Sequence, residues 1–81
     1  MDAAVLSEKV LVLNRSWVAV NVATVRRSLT LVFQEVARIV APHDYSTYDF
    51  PAWVEASQAA RQESRRIHSA KFSLCVPEVI V

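Results

Sequence analysis

His43 and Asp44, followed by Tyr48 and Asp49, are the residues in this chain whose types suit acid–base chemistry. An imidazole beside a carboxylate can move a proton, and Tyr48 could serve as a third group of a small independent active site. The pattern is incomplete, because neither a second histidine nor a nucleophile falls in register with the pair. His68 lies 25 positions away without a metal-ligand motif around it. The serines have no elbow motif and no matched histidine. Glycine is absent from the whole chain, which excludes the glycine loops that cradle phosphate in nucleotide-binding folds. The single cysteine, Cys75, sits between Leu74 and Val76. It can form neither an intrachain disulfide nor a zinc site alone, so it reads as a small buried hydrophobe in a reducing, cytoplasmic compartment. The expectation is a chain that is itself not catalytic and holds no cofactor or metal.

The second chemistry that residue types suggest is contact with phosphate. Arg61, Arg65, Arg66 and Lys71 cluster near His68 and Phe72, and four cations there could neutralise a few phosphates in a salt-sensitive, sequence-independent way. A helix end running into a strand is also an ordinary place for solvated arginines. Arg26 and Arg27 pose the same alternative at the start of a helix, where the macrodipole disfavours cations: they are either solvated or in contact with phosphate or a partner carboxylate. The overall charge does not decide, since it is only +1. Its distribution leans late, with five Lys/Arg against six Asp/Glu in residues 1–60 and four against two in 61–81.

These side chains must be positioned by elements that the hydrophobic pattern predicts. Residues 1–8 read as a flexible lead-in. Val10 to Leu13 is continuously apolar, as in a strand covered on both faces. Asn14-Arg15-Ser16 can turn the chain without glycine. Trp17 to Val22 alternates, which predicts a half-buried strand with Val18, Val20 and Val22 inward. Thr24 suits an N-cap for an amphipathic helix from Val25 to about Arg38, with Val25, Leu29, Val32, Phe33 and Val36 on its apolar face. Arg38 to Ala41 reads as a short strand stopped by Pro42, then residues 43–49 as a polar loop. Phe50-Pro51 opens a second helix reaching about Gln62, anchored by Phe50 and Trp53. Phe72, Leu74 and Val76 lead to a closing apolar strand, and the ending Val79-Ile80-Val81 suggests a chain that continues.

At 81 residues, 53% apolar and 21% charged, the chain suits one folded domain with a small core and some apolar surface to spare for a partner. No apolar run approaches the length of a membrane span, and no leader resembles a signal peptide. The predicted class is α+β: residues 9–81 form a single domain with a small, largely antiparallel sheet and two helices on one face.

The stretches KVLVLNRSWVAVNV, TVRRSLTLVFQEV, Tyr48-Asp49-Phe50 before a Trp53-containing helix, and RRIHSAKFSLCVPEVIV together resemble the N-terminal region of bacterial HNH-endonuclease-like proteins. The resemblance runs from about Val10 to Val81, with Arg66-Ile67 and LCVPEVI as its late matches. It implies an accessory domain that positions DNA or packs on a nuclease module lying downstream. In such proteins the divalent metal, and a structural zinc held by cysteine pairs, belong to that module, and none of its motifs occurs here. Under this reading Arg26, Arg27, Arg61, Arg65, Arg66 and Lys71 are the candidate DNA contacts. The alternative is a stand-alone interaction module that forms a homodimer by pairing Val76 to Val81 with a second copy.

Overall fold

The computed structural model describes residues 3–59, 66–68 and 73–81. In chain order the elements are α1 (Ala3–Leu6), β1 (Lys9–Leu13), β2 (Ala19–Thr24), α2 (Val25–Phe33), β3 (Ile39–Val40), β4 (Thr47–Tyr48), α3 (Phe50–Ala59), β5 (Arg66–His68), β6 (Ser73–Cys75) and β7 (Val79–Ile80). Five strands make one sheet in the order β2-β1-β7-β3-β4, and β5 and β6 make a separate antiparallel pair. All contacts in the large sheet are antiparallel except β1 with β7. The class is the α+β one expected.

One face of the large sheet forms the core. Val10, Ile39 and Ile80 are buried there with Val25 and Val32 of α2, and Tyr48, Phe50 and Trp53 pack against them. Contrary to the flexible lead-in expected for residues 1–8, α1 puts Val5 and Leu6 into this core. Two apolar side chains four and three residues before β1 are enough to hold so short a helix down. Ser28 is also fully buried, and its hydroxyl has no hydrogen-bond partner among the described residues.

The second helix keeps its predicted start and loses its predicted end. Thr24 is the N-cap, its Oγ1 accepting from the Arg27 N–H at 3.1 Å. The helix stops at Phe33 rather than near Arg38, because Glu35 takes a left-handed φ of 63°. The Glu35 N–H donates to Val32 O and the Val36 N–H to Leu31 O, the paired bonds of a Schellman ending. Val36, expected on the apolar face, is therefore carried outward and exposed, and Phe33, the last residue of α2, is also exposed while its ring meets Phe50 edge to face at 5.2 Å. Glycine is the usual residue at such a position, so Glu35→Gly is expected to raise stability by about 0.5–1 kcal/mol. A rise in the denaturant midpoint with an unchanged m-value is the measurement, and a fall would place the helix end elsewhere.

Two other segments differ from expectation. The predicted loop 43–49 contains β4, which pairs with β3 through Ile39↔Tyr48 and Val40↔Thr47. The closing strand, expected as an exposed edge, is instead central: Val79 and Ile80 pair with β1 on one side and β3 on the other. With both backbone edges used, this strand has none left for a second copy. The sheet's edges are β2 and β4.

Candidate functional site

The largest departure from the sequence reading concerns β2. Val18, Val20 and Val22 were predicted inward, yet they are 56%, 57% and 53% exposed. The register explains it. Leu11 pairs with Val22 and Val10 with Ala23, so Val10 takes the helix-covered face while Leu11, Val20 and Val22 take the other. Nothing in the described residues covers that outer face at its β1–β2 end. The alternation was real, and the choice of which face is buried was decided by β1 and the helices, information that lies outside the strand itself.

The edge of β2 is modified at one point. Leu11 donates its N–H to Glu78 O across from β7, so Leu11 and Val22 form a pair without mutual backbone bonds, and the Val22 backbone groups point away from the sheet. Asn21 Oδ1 accepts that outward N–H at 2.8 Å. A side chain thus occupies a donor that an incoming strand would need.

Residues from two turns bring their aromatic rings together. Asn14 Oδ1 accepts from the N–H groups of Ser16 and Val18, at 2.8 and 3.1 Å, closing the β1–β2 turn as expected. The left-handed residue in it is Trp17, with φ 64°. In the β3–β4 turn Tyr45 has φ 62°, and Asp44 Oδ1 accepts from the Ser46 N–H at 3.0 Å. The rings of Trp17 and Tyr45 meet edge to face with centroids 6.3 Å apart.

His43 and Asp44 approach each other at 3.7 Å, and both are largely in solvent. The backbone and hydroxyl of Ser46 hold the Asp44 carboxyl below its ordinary value of 3.8, with His43 adding a smaller pull. Because the folded value is the lower one, the turn's contribution is present above that ordinary value and lost as pH falls through the lowered one. An ionised, exposed carboxylate has no proton to donate near neutrality. Tyr48 is half-buried and packs edge to face on Trp53, with ring centroids 5.4 Å apart. Among the described residues no three His, Cys, Asp or Glu side chains form a metal-binding group, and no helix is long and apolar enough to cross a membrane.

The cationic candidates separate. Arg61, Arg65 and Lys71 lie outside the described residues. Arg66 is engaged: its Nη2 donates to Ser57 O at 2.7 Å, in the last described turn of α3, where a cation also complements the helix dipole. Two further bonds tie α3 to β6, Trp53 Nε1 to Cys75 O at 2.9 Å and the Cys75 N–H to Ser57 Oγ at 3.0 Å. Cys75 is buried, as its apolar flanks predicted. Arg26 and Arg27 remain exposed at the start of α2. Lys9 pairs with Thr24, the N-cap of α2, across the β1–β2 ladder.

A cleft of about 680 Å³ runs along Tyr48, Trp53, Val76 and Pro77, with His43 and Glu78 among the residues around it. Its size suits a small ligand. Two of its polar groups, Trp53 Nε1 and Ser57 Oγ, are already bound to the Cys75 backbone.

The family described as "HNH endonuclease-associated, N-terminal domain" matches the chain over residues 10–81. No curated protein and no solved structure matches the chain.

Proposed function

The chain belongs to the family of HNH endonuclease-associated N-terminal domains, and from that premise we propose that it is a non-catalytic accessory domain that packs on a nuclease module. The observation that carries this reading is the bare β1–β2 end of the sheet's outer face; at β3 the same face is closed, with Val40 only 2% exposed. Helices cover the face of Val10, Ile39 and Ile80, while Leu11, Val20 and Val22 on the other face stay exposed next to Val18. Side chains left half in water would each contribute about 1 kcal/mol when a partner covers them, and a contiguous apolar patch of this kind marks an interaction surface.

The test uses the nuclease that carries the domain. Val20→Lys together with Val22→Lys is expected to increase protease cleavage at the junction after Val81 several-fold. The domain's own unfolding midpoint should hardly change, because both side chains already face solvent. Unchanged cleavage would remove this face from the contact.

A second reading rests on a separate feature, the exposed Arg26 and Arg27 in the first turn of α2, whose N-cap Thr24 pairs with Lys9 across the β1–β2 ladder. Three cations beside the positive end of a helix suit nonspecific contact with a phosphate backbone. The two readings use different surfaces and are compatible.

A further inference from the structure

We infer that Trp17 and Tyr45 are the anchor on which the nuclease module seats, an inference that rests on the packing role proposed above and names its central contact. The rings are 45% and 69% exposed and touch each other. Exposed aromatic residues held in a fixed arrangement are the side chains that dominate binding energy at protein interfaces. Trp17 and Tyr45 both occupy left-handed backbone, at φ 64° and 62°, which for bulky residues costs on the order of 1 kcal/mol or more each. Packing into the core cannot be the return, since neither ring is buried. The Asn14 and Asp44 side chains nevertheless bind the backbone of the two turns and hold them in place.

The position of Val81 indicates the occupant. Val81 exchanges both backbone hydrogen bonds with Arg38, each at 2.9 Å, directly after β7. Because β7 runs parallel to β1, the chain leaves the sheet at the end where β1 passes into the Trp17 turn. A module joined on the C-terminal side of this domain therefore starts at the end of the sheet that carries the Trp17 turn, while the Tyr45 turn, following a strand antiparallel to β7, reaches the pair from the other end. The partner surface that fits is an apolar depression on that module able to receive two aromatic rings.

Trp17→Gly is the useful variant, because glycine adopts φ 64° freely and preserves the turn while removing the ring. In the intact nuclease it should raise cleavage at the junction after Val81 by ~30-fold, the equivalent of losing one interface hot spot, with the thermal midpoint of the domain maintained. Tyr45→Gly should act in the same direction. As an independent reading, 5-fluorotryptophan labelling should show the Trp17 resonance far less broadened by a soluble paramagnet in the nuclease than in the 81-residue chain, with Trp53 as the internal reference. If the lysine substitutions at Val20 and Val22 raise cleavage while Trp17→Gly leaves it at the wild-type rate and the Trp17 resonance is equally broadened in both proteins, packing on this face stands and the anchor falls. If neither variant raises cleavage, both fall.

Discussion

Ile39→Ala lowers the unfolding free energy by about 3–4 kcal/mol, enough to leave a domain of this size close to unfolded. Ile39 is fully buried and lies opposite Ile80 on one side and Tyr48 on the other. Its strand is only two residues long, so the neighbours cannot follow a shrinking side chain without giving up the pairing that joins β4 to the rest of the sheet. Truncation therefore leaves a cavity rather than a collapsed core, at the high end of the usual penalty. Val36→Ala is the matched control: Val36 is 70% exposed, and its loss should stay within about 0.5 kcal/mol. Chemical denaturation followed by near-ultraviolet circular dichroism separates the two. Equal effects would mean that the helix continues past Phe33 and buries Val36 after all.

Arg66→Ala is expected to cost about 2 kcal/mol of stability, the range for a hydrogen bond to a charged donor in a partly buried setting. It should leave the salt dependence of any DNA binding by the parent nuclease unchanged. Arg26→Ala with Arg27→Ala should do the reverse. Both are exposed, so stability should move by less than about 0.5 kcal/mol, while the slope of log affinity against log salt should flatten by about 1–2 if they touch phosphates. The two experiments cross. A neutral Arg66→Ala with a flattened slope would return Arg66 to the phosphate contacts and dissolve the clamp on Ser57. An unchanged slope in the double variant would remove the start of α2 from the interface.

These tests follow the line between what was legible in the sequence and what was not. Periodicity and capping are local, and they located β1, the Asn14 turn, the Thr24 cap, β3, and the start of α3 at Phe50. Cys75 was legible as a buried residue for the same reason, its apolar flanks. Three things needed the assembled fold. The alternation at Val18, Val20 and Val22 defines two faces without saying which one the helices cover. The place of Val79–Ile80 depends on strand order, which joins segments nearly seventy residues apart in the chain. The short α2 depends on Glu35 adopting a conformation that sequence rules reserve for glycine or asparagine. Arg66 was legible as a cation, and its bond to Ser57 O could not be read from spacing.

The aromatic pair had a signal that passed unnoticed. Ser16 to Val25 contains no charged residue, a long neutral run for a strand that ends up at a sheet edge. Trp17 stands at its head, and the alternation that makes it the first residue of a strand hides its place in the turn, since β2 starts at Ala19. The family resemblance reached the right address through the strands and helix flanks, but it rests on packing residues and said nothing of this surface.

The Asn21 bond to the Val22 N–H bears on how such a domain can associate. Head-to-tail strand addition regenerates a new edge, the geometry of fibres, whereas two copies pairing one edge about a two-fold axis close as a dimer. Covering a sheet face ends with the first partner. At Val22 the edge donor is satisfied from within the chain, while the apolar side chains beside it stay bare. The edge at Val22 is thereby a poorer template for an incoming strand, and what this end of the sheet leaves on offer is its apolar face.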